Sequence, residues 1–381
     1  MDEFLLADEE SDQDGVVVAF DGLEDPRIDR QKLYPLREIL FLSLSAVLIG
    51  VTSWRGVETF GHERLDWLRS FMPFAEGTPS HQTIGRVFSL IKSTTMERVF
   101  IQFMTAVTGK TADQIVALDG KTLRRSFDKA SSQKPLHILN ACATENGLTL
   151  GQMLIACKTN EITAVPELLD MLDLKGATIT ADALNTQKAI VEKIISQGND
   201  YVLPVKGNQK TLQEEIESEF RRKDVDISSA DYNQVIEKEH GRIDTRTYFV
   251  LPMQALKAVW EWQGLQSIGM AVTESEKDGK TTKDVRYYIM SFRPDVERFS
   301  KAVRSHWAVE NKLHWTLDVT FREDESRVRK DYAPANFSVL RKLALNLLRA
   351  DKTCKKSIPQ KMIKASLSQS YHEILLRAVG F

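Results

Sequence analysis

The chain is poor in cysteine. Three are present among 381 residues, Cys142, Cys157 and Cys354. The number is odd and the spacing fits no metal-binding pattern, so neither a disulfide framework nor a cysteine-zinc module is supported. A chain of this length buries a sizeable core without cross-links. Long apolar runs are also lacking. The most apolar stretch, Ile39 to Val51, is 13 residues long and contains two serines and a glycine. It is too short to span a bilayer and reads as a buried helix. No secretory signal is expected, since the first 15 residues carry seven acids and no base, the reverse of a targeting segment. A reducing cytoplasm is the expected compartment. There is no glycine-rich phosphate loop and no nucleophilic Ser or Cys motif, which removes the commonest routes to nucleotide hydrolysis and acyl transfer.

What is present is ordinary globular composition: 42% hydrophobic and 27% charged residues, in a length that suits two or three folding units. Net charge is −2, but it is unevenly spread. From Arg298 to Phe381 there are 17 Lys and Arg against 8 Asp and Glu. A neutral total can hide a positive face that suits a polyanion. The plain alternative is a solvated helical region that happens to be basic.

The texture divides the chain. Residues 1–24 read as an acidic disordered tail. Residues 25–110 read as a helical domain, in which Ser80 caps a helix with the stripe Ile84, Val87, Phe88 and Ile91. Such a domain has the size for a helix-turn-helix, or is a plain bundle. Strand and helix then alternate, with a turn at Asn146-Gly147 and a helix closed by Gly198. Residues 111–215 and 293–350 are expected to form an α/β core with a mixed sheet. Residues 216–292 are expected to be a β-rich insertion, with a hairpin at Asp278-Gly279. Residues 351–381 read as a basic helical tail. The run Asn336 to Ala350 has the stripe Phe337, Leu340, Leu343, Ala344, Leu347 and Leu348, with Arg341, Lys342 and Arg349 facing elsewhere.

Asp119 and Asp182 each close an apolar strand. Carboxylates at the carboxyl ends of neighbouring strands converge at one sheet edge, where α/β sites lie, and such oxygens suit a hard cation. Taken singly, Asp119 is also an ordinary Asp-Gly turn and Asp182 an ordinary helix cap. His306, Glu310 and His314 are spaced i, i+4, i+8 and line one helix face. Glu310 could reach the two aspartates, the three could bind zinc on their own helix, or the face could be a satisfied core surface; zinc lacks the HExxH spacing. Lys121, Arg124 and Arg125 follow the first aspartate, Arg304 and Lys312 flank the glutamate, and Arg322, Arg327, Arg329 and Lys330 come next. Carboxylates ringed by bases suit phosphodiester chemistry.

Together, IVALDGKTLRRS, ITADALNTQKAIVEKI, YVLPVKGNQ, EKEHGRID and RSHWAVENKLHWTLDVTFREDESRVRKDYAPANFSVLRKLALNLLR resemble the DDE transposases of bacterial insertion sequences. More narrowly they resemble the H-repeat-associated family found beside Rhs elements. The segments DPRIDRQKLYPLREILFLSL and PSHQTIGRVF resemble that family's N-terminal domain, and the likeness covers about residues 20–355. The resemblance implies a ribonuclease H-like core and catalytic, metal-holding carboxylates at Asp119, Asp182 and Glu310. It also implies two Mg²⁺ (or Mn²⁺) ions and double-stranded DNA as substrate, bound by Lys121, Arg124, Arg304, Lys312, Arg327 and Arg329. A homodimer at paired element ends and a cytoplasmic, nucleoid-associated location follow from the same likeness. The sequence departs from the pattern many relatives carry around the glutamate, Tyr-x2-Arg-x3-Glu-x6-Lys. Val303, His306 and Leu317 stand where that pattern has Tyr, Arg and Lys. Glu323, Asp324 and Glu325 are rival carboxylates nearby.

Overall fold

The computed structural model describes residues 20, 22–109, 111–127, 134–155, 160–222, 232–239, 241–253 and 261–377. Most of the expected acidic tail, Cys157 and the last four residues lie outside them. The chain forms two compact units, one of residues 1–107 with 320–381 and one of residues 108–319.

The first unit begins with α1 (Leu36–Leu48), whose apolar residues are buried on nearly every side, as expected of a helix without a polar face. Then come α2 (Trp54–Glu63), α3 (Leu65–Leu68), α4 (His81–Leu90) and α5 (Ser93–Thr108). Ser80 caps α4 as expected, its hydroxyl accepting from Thr83 N, and Ile84, Val87, Phe88 and Ile91 are buried.

The second unit carries a nine-stranded sheet in the order β3-β2-β1-β4-β5-β9-β8-β7-β6. Its first strands are β1 (Ile115–Leu123), β2 (Leu136–Ala143) and β3 (Leu148–Ile155), an antiparallel meander. Gly147, at φ 72°, takes the left-handed turn between the last two. Next come α6 (Glu161–Met171), β4 (Thr178–Thr180), α7 (Lys188–Ser196) and β5 (Asp200–Val205), with β4 parallel to both β1 and β5. After α8 (Lys210–Arg222) the chain forms β6 (Tyr232–Glu239), β7 (Arg242–Pro252), β8 (Ser267–Lys277) and β9 (Lys280–Met290). The hairpin at Asp278-Gly279 has positive φ at both residues, the two-residue turn that such a pair favours. These hairpins do not stand apart from the core sheet: β9 pairs with β5, Met290 opposite Val202, and so extends the same sheet.

α9 (Val296–Ala308) lies on this sheet. Phe299 is fully buried and meets Tyr248 and Tyr288 edge-on, at centroid distances of 5.8 and 5.2 Å. Gly269 makes room for it, since a β-carbon there would lie 2.6 Å from the Phe299 ring.

The chain then returns to the first unit with α10 (Ala333–Ala350), α11 (Ile358–Leu367) and α12 (Gln369–Arg377). Residues 333–350 therefore pack among the N-terminal helices and not in the α/β core where the pattern put them. Trp54 stacks on Phe88 and meets Phe337 at a tilt, with ring centroids 4.8 and 4.5 Å away, and Asn336 Nδ2 donates to the carbonyls of Phe88 and Ile91, both at 2.8 Å. Arg341 and Lys342, expected to face away from the stripe, are 2% and 1% exposed. Arg341 lies over the Phe337 ring and beside Glu323, and Lys342 donates to Ser338. Lys361 is buried as well, donating to the carbonyls of Leu348 and Asp351. Part of the C-terminal basic excess is thus interior and cannot meet a polyanion.

Candidate active site

β1 runs apolar and buried through Leu118, and its side chains turn half-exposed at Asp119. β4 pairs with it in parallel, Ala117 opposite Thr180. Asp119 and Asp182 each follow that pair by two residues, so they emerge at the same edge of the sheet. The turn alternative for Asp119 is not realised, because β1 continues through Gly120 to Leu123. The cap alternative for Asp182 is: its Oδ1 accepts from Asn185 N at 3.2 Å and from Asn185 Nδ2 at 2.8 Å.

Glu310 is brought to this edge by α9. The helix is fixed near its start by Arg298, which donates to Asp200 Oδ2 at 2.6 Å and to Thr178 Oγ1 at 2.7 Å. It is fixed near its end by His306, whose Nδ1 lies 3.1 Å from Thr180 Oγ1. At Val309 the helix widens to a π-turn, Val309–His314, followed by another at Thr316–Thr320. π-turns inside α-helices are frequent at functional sites. Here the apolar Val309, Leu313 and Leu317 stay buried while Glu310 is exposed. Lys121 closes the arrangement by donating to Asp318 Oδ1 at 2.5 Å, joining β1 to the second π-turn.

Asp119, Asp182 and Glu310, up to 191 positions apart in the chain, line one cleft of about 370 Å³. Burial pushes the Asp119 carboxyl up to about 7, and the charges of Glu161, Asp182 and Glu310 push the same way. Asp182 is raised by burial and by Glu161, against the bonds from Asn185. Like charges gathered in a partly dry cleft raise each other's proton affinity, and a bound cation would relieve them. The donors are hard carboxylate oxygens, which fit Mg²⁺ or Mn²⁺. Among the described residues, no group of three or more His, Cys, Asp or Glu side chains stands, as placed, where it could hold a metal ion.

The histidines do not converge on a zinc position. His306 faces Thr180, and burial lowers its imidazole to about 4, so it is neutral at pH 7. His314 Nδ1 lies 3.4 Å from Asp119 Oδ2. The rival acids are elsewhere. Glu323, Asp324 and Glu325 belong to the helical unit, where Glu323 is buried and accepts from Ser338.

The basic residues fall into three groups. Lys121 is 7% exposed and held by Asp318, which removes it from any DNA-facing surface. Arg124, Arg304 and Lys312 are exposed in the α/β unit, with Arg304 paired to Glu237 at 2.5 Å. Arg327 and Arg329 belong to the helical unit. Val303 packs against the core cluster and Leu317 is fully buried, so two of the departing positions serve packing. Four residues escaped the sequence reading. Lys206 and Arg286 line the cleft, Arg286 with its guanidinium 5.6 Å above Trp307. Glu161 acts electrostatically on both aspartates, and His137 stands beside it. Lys206 had a usable signal, since it too follows the carboxyl end of a strand. Arg286 and Glu161 had none.

Residues 110–347 match the family model described as Transposase DDE domain, and residues 17–104 match the DDE_Tnp_1-associated model. The chain belongs to the DDE transposase family. YbfL of Escherichia coli K12 is 40% identical, over 91% of this chain and 93% of its own length. The H repeat-associated protein YhhI of the same strain is 39% identical over the same shares. A shorter relative named as inactive transposase YbfQ is 40% identical over 16% of this chain and 74% of its own length. Among solved structures, the piggyBac transposase synaptic complex with hairpin DNA aligns over 88% of this chain and 72% of that one, at 12% identity and a TM-score of 0.42. That score is too low to establish a shared fold. Among the described residues no helix of this transposase is long and apolar enough to cross a membrane.

Proposed function

We propose that the protein is a DDE transposase that cleaves DNA at the ends of an insertion sequence and joins the freed ends to target DNA, with Asp119, Asp182 and Glu310 as its catalytic carboxylates. The observation that carries this reading is the meeting of those three acids in one cleft, in a chain of this family. The strand order β3-β2-β1-β4-β5, with a three-stranded meander followed by two strands parallel to the first, supports a ribonuclease H-like core.

Asp119, Asp182 and Glu310 would hold the divalent cations. When bound, Mg²⁺ or Mn²⁺, as two ions, supplies activation of the attacking oxygen and charge neutralisation at the leaving one. The chain's own part is placement. Lys206 and Arg286, at the cleft, offset phosphate charge; Arg124, Arg304 and Lys312 in the same unit, and Arg327 and Arg329 in the helical unit, bind duplex backbone. Neutral His306 keeps the α9 terminus in register with β4. A water oxygen bonds to phosphorus as the bond to the 3′ oxygen breaks, leaving a 3′-hydroxyl at the element's end. That hydroxyl then displaces a 3′ oxygen in target DNA. No covalent enzyme intermediate is needed. Two copies acting on paired ends make a homodimer the working assembly, in the cytoplasm at the nucleoid.

A DNA-binding remnant without activity is the second reading, favoured by His306 and Leu317 standing where many relatives have Arg and Lys. A transposition assay with a marked element decides between them. Insertion that requires Asp119 supports the transposase; DNA binding with no cleavage in Mg²⁺ or Mn²⁺ supports the remnant.

A further inference from the structure

Glu161 opens α6, which Asn160 caps by accepting from Thr163 N at 3.2 Å. An acid in the first turn of a helix has an ordinary explanation in the helix dipole. The surroundings of this one need more. A β-carbon on Gly120 would lie 2.6 Å from Glu161 Oε1 and 2.5 Å from His137 Nε2. The carboxylate and the imidazole therefore rest on bare backbone immediately after Asp119. His137 is itself held, with Nδ1 2.9 Å from Thr122 Oγ1 and Nε2 3.7 Å from Glu161 Oε2. The Glu161 side chain is only 13% exposed. Glycine inside a strand weakens it, and at 120 it leaves the space that this carboxylate fills.

A nearly buried acid set beside two others has an energetic cost. Gly120 lines the cleft next to Asp119, so the Glu161 carboxylate that rests on it lies against the cleft wall one residue from a candidate ligand, and its charge acts on Asp119 and Asp182.

We infer that Glu161, oriented by His137 over Gly120, is a fourth acidic member of this site, a positioning residue that raises its affinity for a divalent cation. The inference rests on reading the cleft as a metal-dependent phosphoryl-transfer site. Charge count tunes the affinity of oxygen sites for hard cations, and residues that orient a metal's ligands change its affinity by about 10–100-fold.

The test is a Mn²⁺ titration of the purified full chain without DNA, followed by tryptophan fluorescence, since Trp307 lines the cleft, and by thermal melting. Glu161→Gln should raise the Mn²⁺ midpoint about tenfold or more. It should also melt higher than wild type in EDTA, because repulsion is removed, and gain less from the cation. Glu161→Asp, which keeps the charge, should return the midpoint towards wild type, and His137→Gln should shift it in the same direction as Glu161→Gln but less. An unchanged midpoint in Glu161→Gln, or a lower melting point in EDTA, overturns the inference and leaves Glu161 a structural residue. If wild type shows no Mn²⁺ response, or Asp119→Asn keeps all of it, the metal reading of the cleft fails and the inference falls with it.

Discussion

Thr180 Oγ1 stands 3.1 Å from His306 Nδ1. Thr180 precedes Asp182 by two residues and His306 precedes Glu310 by four, so this contact sets the strand that carries one acid against the helix that carries another. Arg298 makes the matching contact a helix length away, on Thr178 and Asp200. Two polar anchors on β4 and β5, with Phe299 buried between them, hold the third carboxylate at the sheet edge.

The three carboxylates should be individually indispensable. Asp119→Asn, Asp182→Asn and Glu310→Gln each keep shape while removing charge. Each should reduce Mg²⁺-dependent cleavage of a labelled element end to background and leave gel-shift affinity for that DNA within a few-fold of wild type. Wild-type cleavage by any one variant would remove that residue from the set.

Stability without metal should fall as pH rises. Asp119 titrates near 7 when folded, against 3.8 for the free side chain. A carboxyl whose folded value is raised stabilises the protein fully below the unfolded value and loses that contribution as pH climbs through the folded one. Melting in EDTA should therefore show wild type losing ground to Asp119→Asn between about pH 4 and pH 7, by several degrees, and levelling off above that. Parallel profiles for the two proteins would contradict this.

The Arg298 anchor should matter to both folding and chemistry. Arg298→Met leaves Asp200 with only its bond from Ser291 and should cost about 1–3 kcal/mol. Cleavage should drop further than stability alone explains, because the helix that leads to Glu310 loses the anchor at its start and is left with His306 alone. Urea unfolding and cleavage rates, measured on the same preparation, separate the two effects.

Glu323 should be structural. It is 2% exposed, accepts from Ser338 and sits 3.7 Å from the buried Arg341. Breaking such a buried pair costs about 3–5 kcal/mol, so Glu323→Ala should lower the urea midpoint sharply. At temperatures where it remains folded, its cleavage should match wild type; a folded but inactive variant would restore Glu323 as a candidate acid.

DNA affinity should fall steeply with salt, as expected when several phosphates are neutralised. Lys206→Ala and Arg286→Ala should each make the slope of log affinity against log salt shallower by about one. Lys121→Met should leave that slope unchanged, since its ammonium is buried against Asp318. A flat salt response in wild type would argue against a polyanion groove.

Much of the local structure was legible in the residues. Ser80, Asn146-Gly147, Asp278-Gly279 and Gly198 marked caps and turns that the structure contains, because those signals act over a few neighbouring residues. The α10 stripe was legible as a helix but not as a central one. Leu345 and the alkyl stems of Arg341 and Lys342 extend its buried surface all round, and a pattern that assigns charged residues to solvent cannot anticipate that. The two π-turns carry no recognised sequence mark.

For the site, the sequence by itself determined the candidates: apolar strands ending in Asp119 and Asp182, and a helix bearing Glu310. These follow from short-range chemistry, since burial period and strand ends are written in adjacent residues. Only the tertiary structure decided which charges share the cleft. It joined Lys121 to Asp318, sent Glu323 into the helical unit, and brought Glu161 beside Asp119. Those outcomes depend on strand pairing and helix packing between segments far apart in the chain, and electrostatic coupling follows distance in space, not position in sequence.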